Sequence, residues 1–308
     1  MDLYIEKEFL DNFYLDFNGN QIQERLKVLF TKYGSKRVFI DFKADDFLEI
    51  EENNMIFAEI TSNDISPIPV ESIKQHLFDN SDFTQTLVFT NEVNKWFYEA
   101  ERKGAWCFSF ENYQDKIKSL IDKIHFKVDL SNEFNNWSVI DISQIPFNHI
   151  QITDGYILKD EKNIKENLIP LIASFVNTKK EKITIDLLIK EVGSKTVTEE
   201  KKKDFAAKQH QKLNSKFSKS INLNIYLSNL ISNIDLHDRT VITNFSILDS
   251  GVGFSLVGRK VSNSQMVSES IFEKYTYDRL RGLKAAQQKY IDKLNGDSFD
   301  SVKFYKYP

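Results

Sequence analysis

The segment Leu236-His237-Asp238-Arg239-Thr240-Val241-Ile242-Thr243-Asn244, followed by Gly251, Gly253 and Ser255, organises the reading of this chain. It sets an imidazole two residues ahead of a guanidinium at the head of an apolar stretch. A guanidinium clamps phosphate well, because its planar fork meets two oxygens at once. The run Asp249-Ser250-Gly251-Val252-Gly253 marks a turn where backbone approaches a ligand closely. Taken alone, His237 also reads as a structural histidine at a strand start. Upstream, Lys182–Lys190 reads as a buried strand and Lys202–Lys219 as a polar helix anchored by Phe205, Ala206 and Phe217. Ile221–Leu227 reads as a second strand, and the histidine strand follows it.

This stretch resembles the signature of the phospholipase D superfamily, which includes nucleases. The family pattern is a histidine, any residue, a lysine, four residues, an aspartate, and a glycine-serine pair further on. His237 takes the histidine position, Arg239 the lysine, Asn244 the aspartate and Ser255 the serine. The resemblance implies an imidazole that attacks a phosphodiester, a second imidazole that protonates the leaving oxygen, basic groups on the non-bridging oxygens, and no metal cofactor. It also implies that two copies of the pattern meet. One copy with its downstream glycines and serine is read here, so the resemblance implies a site completed across a homodimer. Arginine keeps the phosphate clamp; asparagine supplies no negative charge to steer an imidazolium.

The first third reads differently. Leu3-Tyr4-Ile5 is a short apolar strand, followed by Glu6, Glu8 and a helix over Phe9–Leu15. Gln85–Glu92 is a strand ending in a threonine and an acid. A helix over Val93–Arg102, Gly104, the strand Ala105–Ser109 and a helix over Phe110–Lys123 follow. This series resembles a PIN domain, a nuclease fold whose carboxylates at the carboxyl ends of parallel strands hold divalent metal. By that resemblance Glu6 takes the first aspartate position, Glu8 the asparagine and Glu92 the late aspartate, implying Mg or Mn held by Glu6 and Glu92. Asp41, Asp45 and Asp46 follow the strand Arg37–Phe42. The plainer reading is of solvated acids at the strand ends of an ordinary doubly wound sheet.

A chain of 308 residues is long enough for two cores. The expected architecture is α/β: a PIN-like parallel sheet with helices on both faces over 1–125, a connecting segment over 126–148, and a phospholipase D-like α/β sandwich over 149–308. In the connection, Trp137, Val139, Ile140 and Ile142 read as an edge strand. Ile150–Leu158 reads as two short strands around Asp154-Gly155, and Lys162–Asn177 as a helix interrupted at Pro170. Ser270–Leu294 reads as a charged amphipathic segment. A single cysteine, Cys107, excludes an internal disulfide, and the lack of close Cys/His pairs argues against zinc. The sequence shows neither a long apolar run nor a basic leader, so a cytoplasmic protein without membrane contact is expected.

The net charge of −4 argues against indiscriminate nucleic-acid binding. Locally, however, Lys201, Lys202 and Lys203, with Arg259 and Lys260, form basic stretches around the signature that suit a phosphate backbone. Two functions of different class follow. One is a nucleic-acid- or phosphate-binding protein of nuclease ancestry, acting with a protein partner, on the analogy of bacterial anti-phage and toxin systems that use such modules. The other is an active nuclease using His237 or a metal-dependent carboxylate site. Altered positions at both centres favour the binding role.

Overall fold

Asp2–Ile5 (β1) is buried throughout and forms the centre of a parallel sheet. Its neighbours are Arg37–Ile40 (β2) and Thr86–Thr90 (β4), flanked by Ile68–Pro69 (β3) and Trp106–Ser109 (β5), in the order β3-β2-β1-β4-β5. Every pairing in this sheet is parallel. Strands covered on both faces carry continuous apolar runs rather than alternation, which is why Leu3-Tyr4-Ile5 and Leu87-Val88-Phe89 are recognisable. The computed structural model describes residues 1–63, 65–140, 142, 145–158, 160–176, 182–190, 204, 207–208, 211, 215, 221–228, 239–296 and 302–307. The chain divides into two units, Met1–Asp122 with Ser270–Asp278, and Lys123–Glu269 with Arg279–Pro308.

In the first unit the helices are Lys7–Leu15 (α1), Gln21–Lys32 (α2), Phe47–Asn53 (α3), Met55–Ser62 (α4), Ile73–Asn80 (α5), Phe97–Lys103 (α6) and Tyr113–Ile124 (α7). Side-chain caps set two of their starts: Asn20 accepts from the Ile22 and Gln23 amides, and Asn54 from those of Ile56 and Phe57. Gly104, at φ 114°, ends α6 in the left-handed conformation that a glycine adopts freely. One sheet face carries Tyr4, Phe39, Val88 and Cys107 against Ile73 and Leu77 of α5 and Phe97 and Ala100 of α6. On the other face Phe89 meets the rings of Phe9 and Phe30, and Tyr113 meets Phe9. Helices therefore cover both faces, and each buried phenylalanine contributes about 1.5–3 kcal/mol. The chain runs outward from β1 to β3, then crosses to β4 and β5, so its direction reverses between β1 and β4.

The second unit holds a mixed sheet. Its strands are Phe126–Asp129 (β6), His149–Thr153 (β7), Ile183–Lys190 (β8), Ile221–Ser228 (β9), Thr240–Ile242 (β10), Ser246–Ser250 (β11), Gln265–Ser270 (β12) and Val302–Tyr307 (β13), in the order β13-β9-β8-β7-β10-β11-β12-β6. β7, β8 and β9 are parallel. β10 is antiparallel to β7 and β11, β12 to β6, and β13 to β9. The helix Lys274–Gly296 reaches this sheet through Arg279, whose guanidinium pairs with Asp249, and through Gln287, which donates to the Thr153 hydroxyl at 3.0 Å. Among the described residues no helix is long and apolar enough to cross a membrane.

Three local expectations change. Within the stretch read as a connection, Phe126–Asp129 pairs with β12, and Trp137–Val139 forms a 3-10 turn instead of an edge strand. The Asn136 side chain accepts from the Ser138 amide and starts that turn, while Trp137 buries its ring and donates to Asn167 at 3.3 Å. Among the described residues of the stretch read as two strands, only β7 is one: Asp154 accepts from the Tyr156 amide and bends the chain into a turn over residues 155–158. The helix beyond it does not break at Pro170. A π-helical turn, Ile164–Leu168, precedes the last α-helical segment, Ile169–Phe175, and Pro170 sits in that segment's first turn, where its missing N–H is tolerated.

Candidate functional site

In the first unit, polar side chains gather at the carboxyl ends of the parallel strands. Register pairs Thr90 with Ser109 and Ile5 with Phe89 and Ile40. One residue further on, Glu6 stands beside Thr90 on one side and Asp41 on the other. Asp41, Glu6, Thr90 and Ser109 thus continue, as a polar row, the face that Phe39, Tyr4, Val88 and Cys107 line. This row crosses the point of chain reversal, where open α/β sheets take their ligands.

Its acids are held by main-chain donors. The Asn91 amide donates to Glu6 Oε2 at 2.6 Å, and the Lys7 amide donates to Asp41 Oδ1 at 2.6 Å. Partial burial pushes both carboxyls above the ordinary carboxylate range. Those amides oppose the shift, while Asp41, Glu8 and Glu92 add to it at Glu6. Asn12 donates to the Asn91 side chain at 2.8 Å, and the buried Ser109 hydroxyl has no hydrogen-bond partner among the described residues. A cleft of about 510 Å³ beside this edge is lined in part by Lys7, Asp11, Asp46 and Glu49. Glu92, expected as a metal ligand with Glu6, is exposed; its carbonyl accepts the Thr90 hydroxyl at 2.6 Å. Among the described residues no group of three or more acids, histidines or cysteines stands together in an arrangement that could hold a metal ion.

In the second unit, Arg239 precedes β10 and faces the loop that follows β11. Its Nη1 donates to the Gly251 carbonyl at 2.8 Å. Gly253 has φ +88°, and a Cβ built there would lie 2.9 Å from Asp154 Oδ2 and 3.1 Å from Arg239 Cδ. Only glycine lets the loop pass between these two side chains. Asp154 is 2% exposed; its Oδ1 accepts from the Tyr156 amide at 2.8 Å and its Oδ2 from the Phe254 amide at 2.7 Å. Burial raises its carboxyl above the ordinary range, against the pull of those amides and of Arg239.

The rest of the loop is pinned as well. The Ser250 hydroxyl donates to the Gly253 carbonyl at 2.6 Å, and the amides of Leu256 and Val257 donate to Asn167 Oδ1, each at 2.9 Å. Arg259 closes it, its Nη1 donating to the Ser255 carbonyl at 3.0 Å. These hydrogen bonds fix the course of the loop from Ser250 to Arg259.

No family model matches this chain, and no curated protein does. The expected residues therefore stand on their placement. Arg239 packs against the Gly251–Gly253 turn; Ser255 lies further along the same loop, where its carbonyl accepts from Arg259, and Lys260 is exposed beside it. Asn244 does not join them. It lies at the opposite end of β10, buried in the turn to β11, and donates to Asn148 at 3.0 Å. His237, Lys201, Lys202 and Lys203 lie outside the described residues, as does most of the helix read over 202–219.

Two further histidines also precede a lysine by two positions, His125 with Lys127 and His210 with Lys212. His125 adjoins β6, separated from β10 by β11 and β12 and so by about 14 Å of sheet. His210 lies outside the described residues. Asp154 and Asn167 are the loop anchors that sequence reasoning missed. The Asp154-Gly155 pair signalled a bend, but nothing local marked the acid as buried.

Proposed function

We propose that this chain is a nucleic-acid- or phosphate-binding protein of nuclease ancestry, and that its second unit holds phosphate on Arg239 and the glycine loop. The observation that carries the reading is the packing of Gly253 between Arg239 and Asp154, which commits a guanidinium, a buried acid and a positive-φ glycine to one preordered turn. Among the described residues the Gly251 carbonyl takes one of the five guanidinium N–H groups, which leaves donors in the fork for phosphate oxygens. Arg259 and Lys260 add positive charge along the same loop. The changed signature supports binding over cleavage: an asparagine replaces the acid, and it is engaged at the far end of β10. In the first unit the parallel order, with acids at the reversal point, supports descent from a PIN-like nuclease, while the incomplete carboxylate set supports loss of its metal chemistry.

The test is fluorescence anisotropy with labelled single- and double-stranded DNA and RNA over a salt series, in Mg, Mn or chelator, with the products resolved on gels. Binding that weakens steeply with salt, without cleavage, is the expected result. Cleavage in chelator that is lost in His237→Ala would replace this reading with a histidine-dependent nuclease. Cleavage that requires metal and is lost in Glu6→Gln would move the activity to the first unit.

A further inference from the structure

We propose that anion binding at Arg239 is coupled to uptake of a proton by Asp154. The inference rests on the reading that Arg239 holds phosphate, and it assigns that site a pH dependence. Asp154 and Arg239 flank Gly253. From the distances to a Cβ built on that glycine, Asp154 Oδ2 and Arg239 Cδ lie no more than about 6 Å apart. Arg239 gives its hydrogen bond to the Gly251 carbonyl, so the carboxylate acts on the guanidinium through its charge. The turn after β7 and the glycine loop, both packed on Asp154, contribute main-chain amides, those of Tyr156, Ile157 and Phe254. Among the described residues Arg239 is the charged group facing it.

One buried negative charge is thus balanced by one positive charge. A phosphate arriving on the guanidinium brings a second negative charge into the same small volume. Burial already favours the neutral carboxyl, and loss of the undivided attraction of Arg239 favours it further. Protonation of Asp154 from solvent removes the excess charge. A protonated carboxyl keeps lone pairs that accept these amides. By linkage, a ligand whose binding takes up a proton binds more tightly as pH falls.

The experiment is titration calorimetry of the whole chain with an oligodeoxythymidine, whose phosphodiesters and bases do not titrate near neutral pH. It is run in buffers of different ionisation enthalpy on wild type, Asp154→Asn and His237→Ala. The expected result is proton uptake in wild type and in His237→Ala, and none in Asp154→Asn, whose affinity no longer varies with pH. Binding without proton uptake overturns the proposal, as does uptake lost in His237→Ala but kept in Asp154→Asn. Absence of binding at every pH overturns the parent reading and this one with it. Should Asp154→Asn not fold, the assigned Asp154 carboxyl carbon is titrated by NMR in the wild type. Its midpoint is expected to rise when the oligonucleotide is added, and an unmoved midpoint overturns the proposal.

Discussion

Gly253 lies so close to Asp154 that a Cβ on the glycine would stand 2.9 Å from the carboxylate Oδ2. Gly258 also has positive φ, +74°, but nothing lies within 4 Å of its Cβ position. Gly253→Ala should therefore cost about 1–3 kcal/mol and displace the loop, weakening nucleic-acid binding. Gly258→Ala should cost about 1 kcal/mol from backbone strain alone and leave binding intact. Urea unfolding and anisotropy on the two variants check this. Equal losses in both would mean that the contact with Asp154 does not matter.

Asn167 holds the far side of the same loop. Replacing it with alanine removes the acceptor for the Leu256 and Val257 amides and for the Trp137 indole. The expected destabilisation is about 1–3 kcal/mol. Hydrogen exchange should accelerate at residues 256 and 257 before it does in β10 or β11. Unchanged protection there would show that the loop is held by other means.

The apolar strands were legible because burial on both faces writes itself into consecutive residues. Leu3–Ile5, Leu87–Phe89 and Trp106–Phe108 therefore stood out, within a residue or two of their ends. The polar row did not, because Asp41, Glu6, Thr90 and Ser109 are neighbours only through strand register, which joins residues far apart in sequence. Trp137, Val139 and Ile140 have the composition of a strand, yet the capping hydrogen bond of Asn136 decides for a turn. At the glycine loop, Arg239 and the glycines were visible as a motif. Asp154 was not, since its role depends on a loop a hundred residues away closing over it.

The row in the first unit should show its character in the pH dependence of stability. Glu6 and Asp41 are both held above the ordinary carboxylate range in the folded state. The native protein therefore binds protons more tightly than the unfolded chain at these groups. Their contribution is fully present below the unfolded value and is lost as pH rises through the raised folded value. Glu6→Gln and Asp41→Asn keep an acceptor for the Asn91 and Lys7 amides but carry no charge to desolvate. Each should be more stable than wild type at neutral pH, with the advantage vanishing in acid. Urea midpoints across pH check this, and a deficit at neutral pH would contradict it.

The His149 and Asp186 pair offers a test of the second core. His149 Nε2 lies 2.7 Å from Asp186 Oδ2, and the Asn224 amide donates to Asp186 Oδ1 at 2.6 Å. Asp186→Ala leaves both partners in the sheet without their acceptor and should lower stability by about 1–3 kcal/mol. His149→Ala removes one bond and should cost less. The reverse order in urea unfolding would show that Asp186 is not the centre of this network.

The most direct test of the account is the slope of log affinity against log salt for a single-stranded oligonucleotide, measured for wild type and Arg239→Ala. If Arg239 holds a phosphate, the variant should bind more weakly to every sequence and the magnitude of its slope should fall by about 0.7. The same affinity and the same slope in both proteins would place phosphate elsewhere and contradict the account.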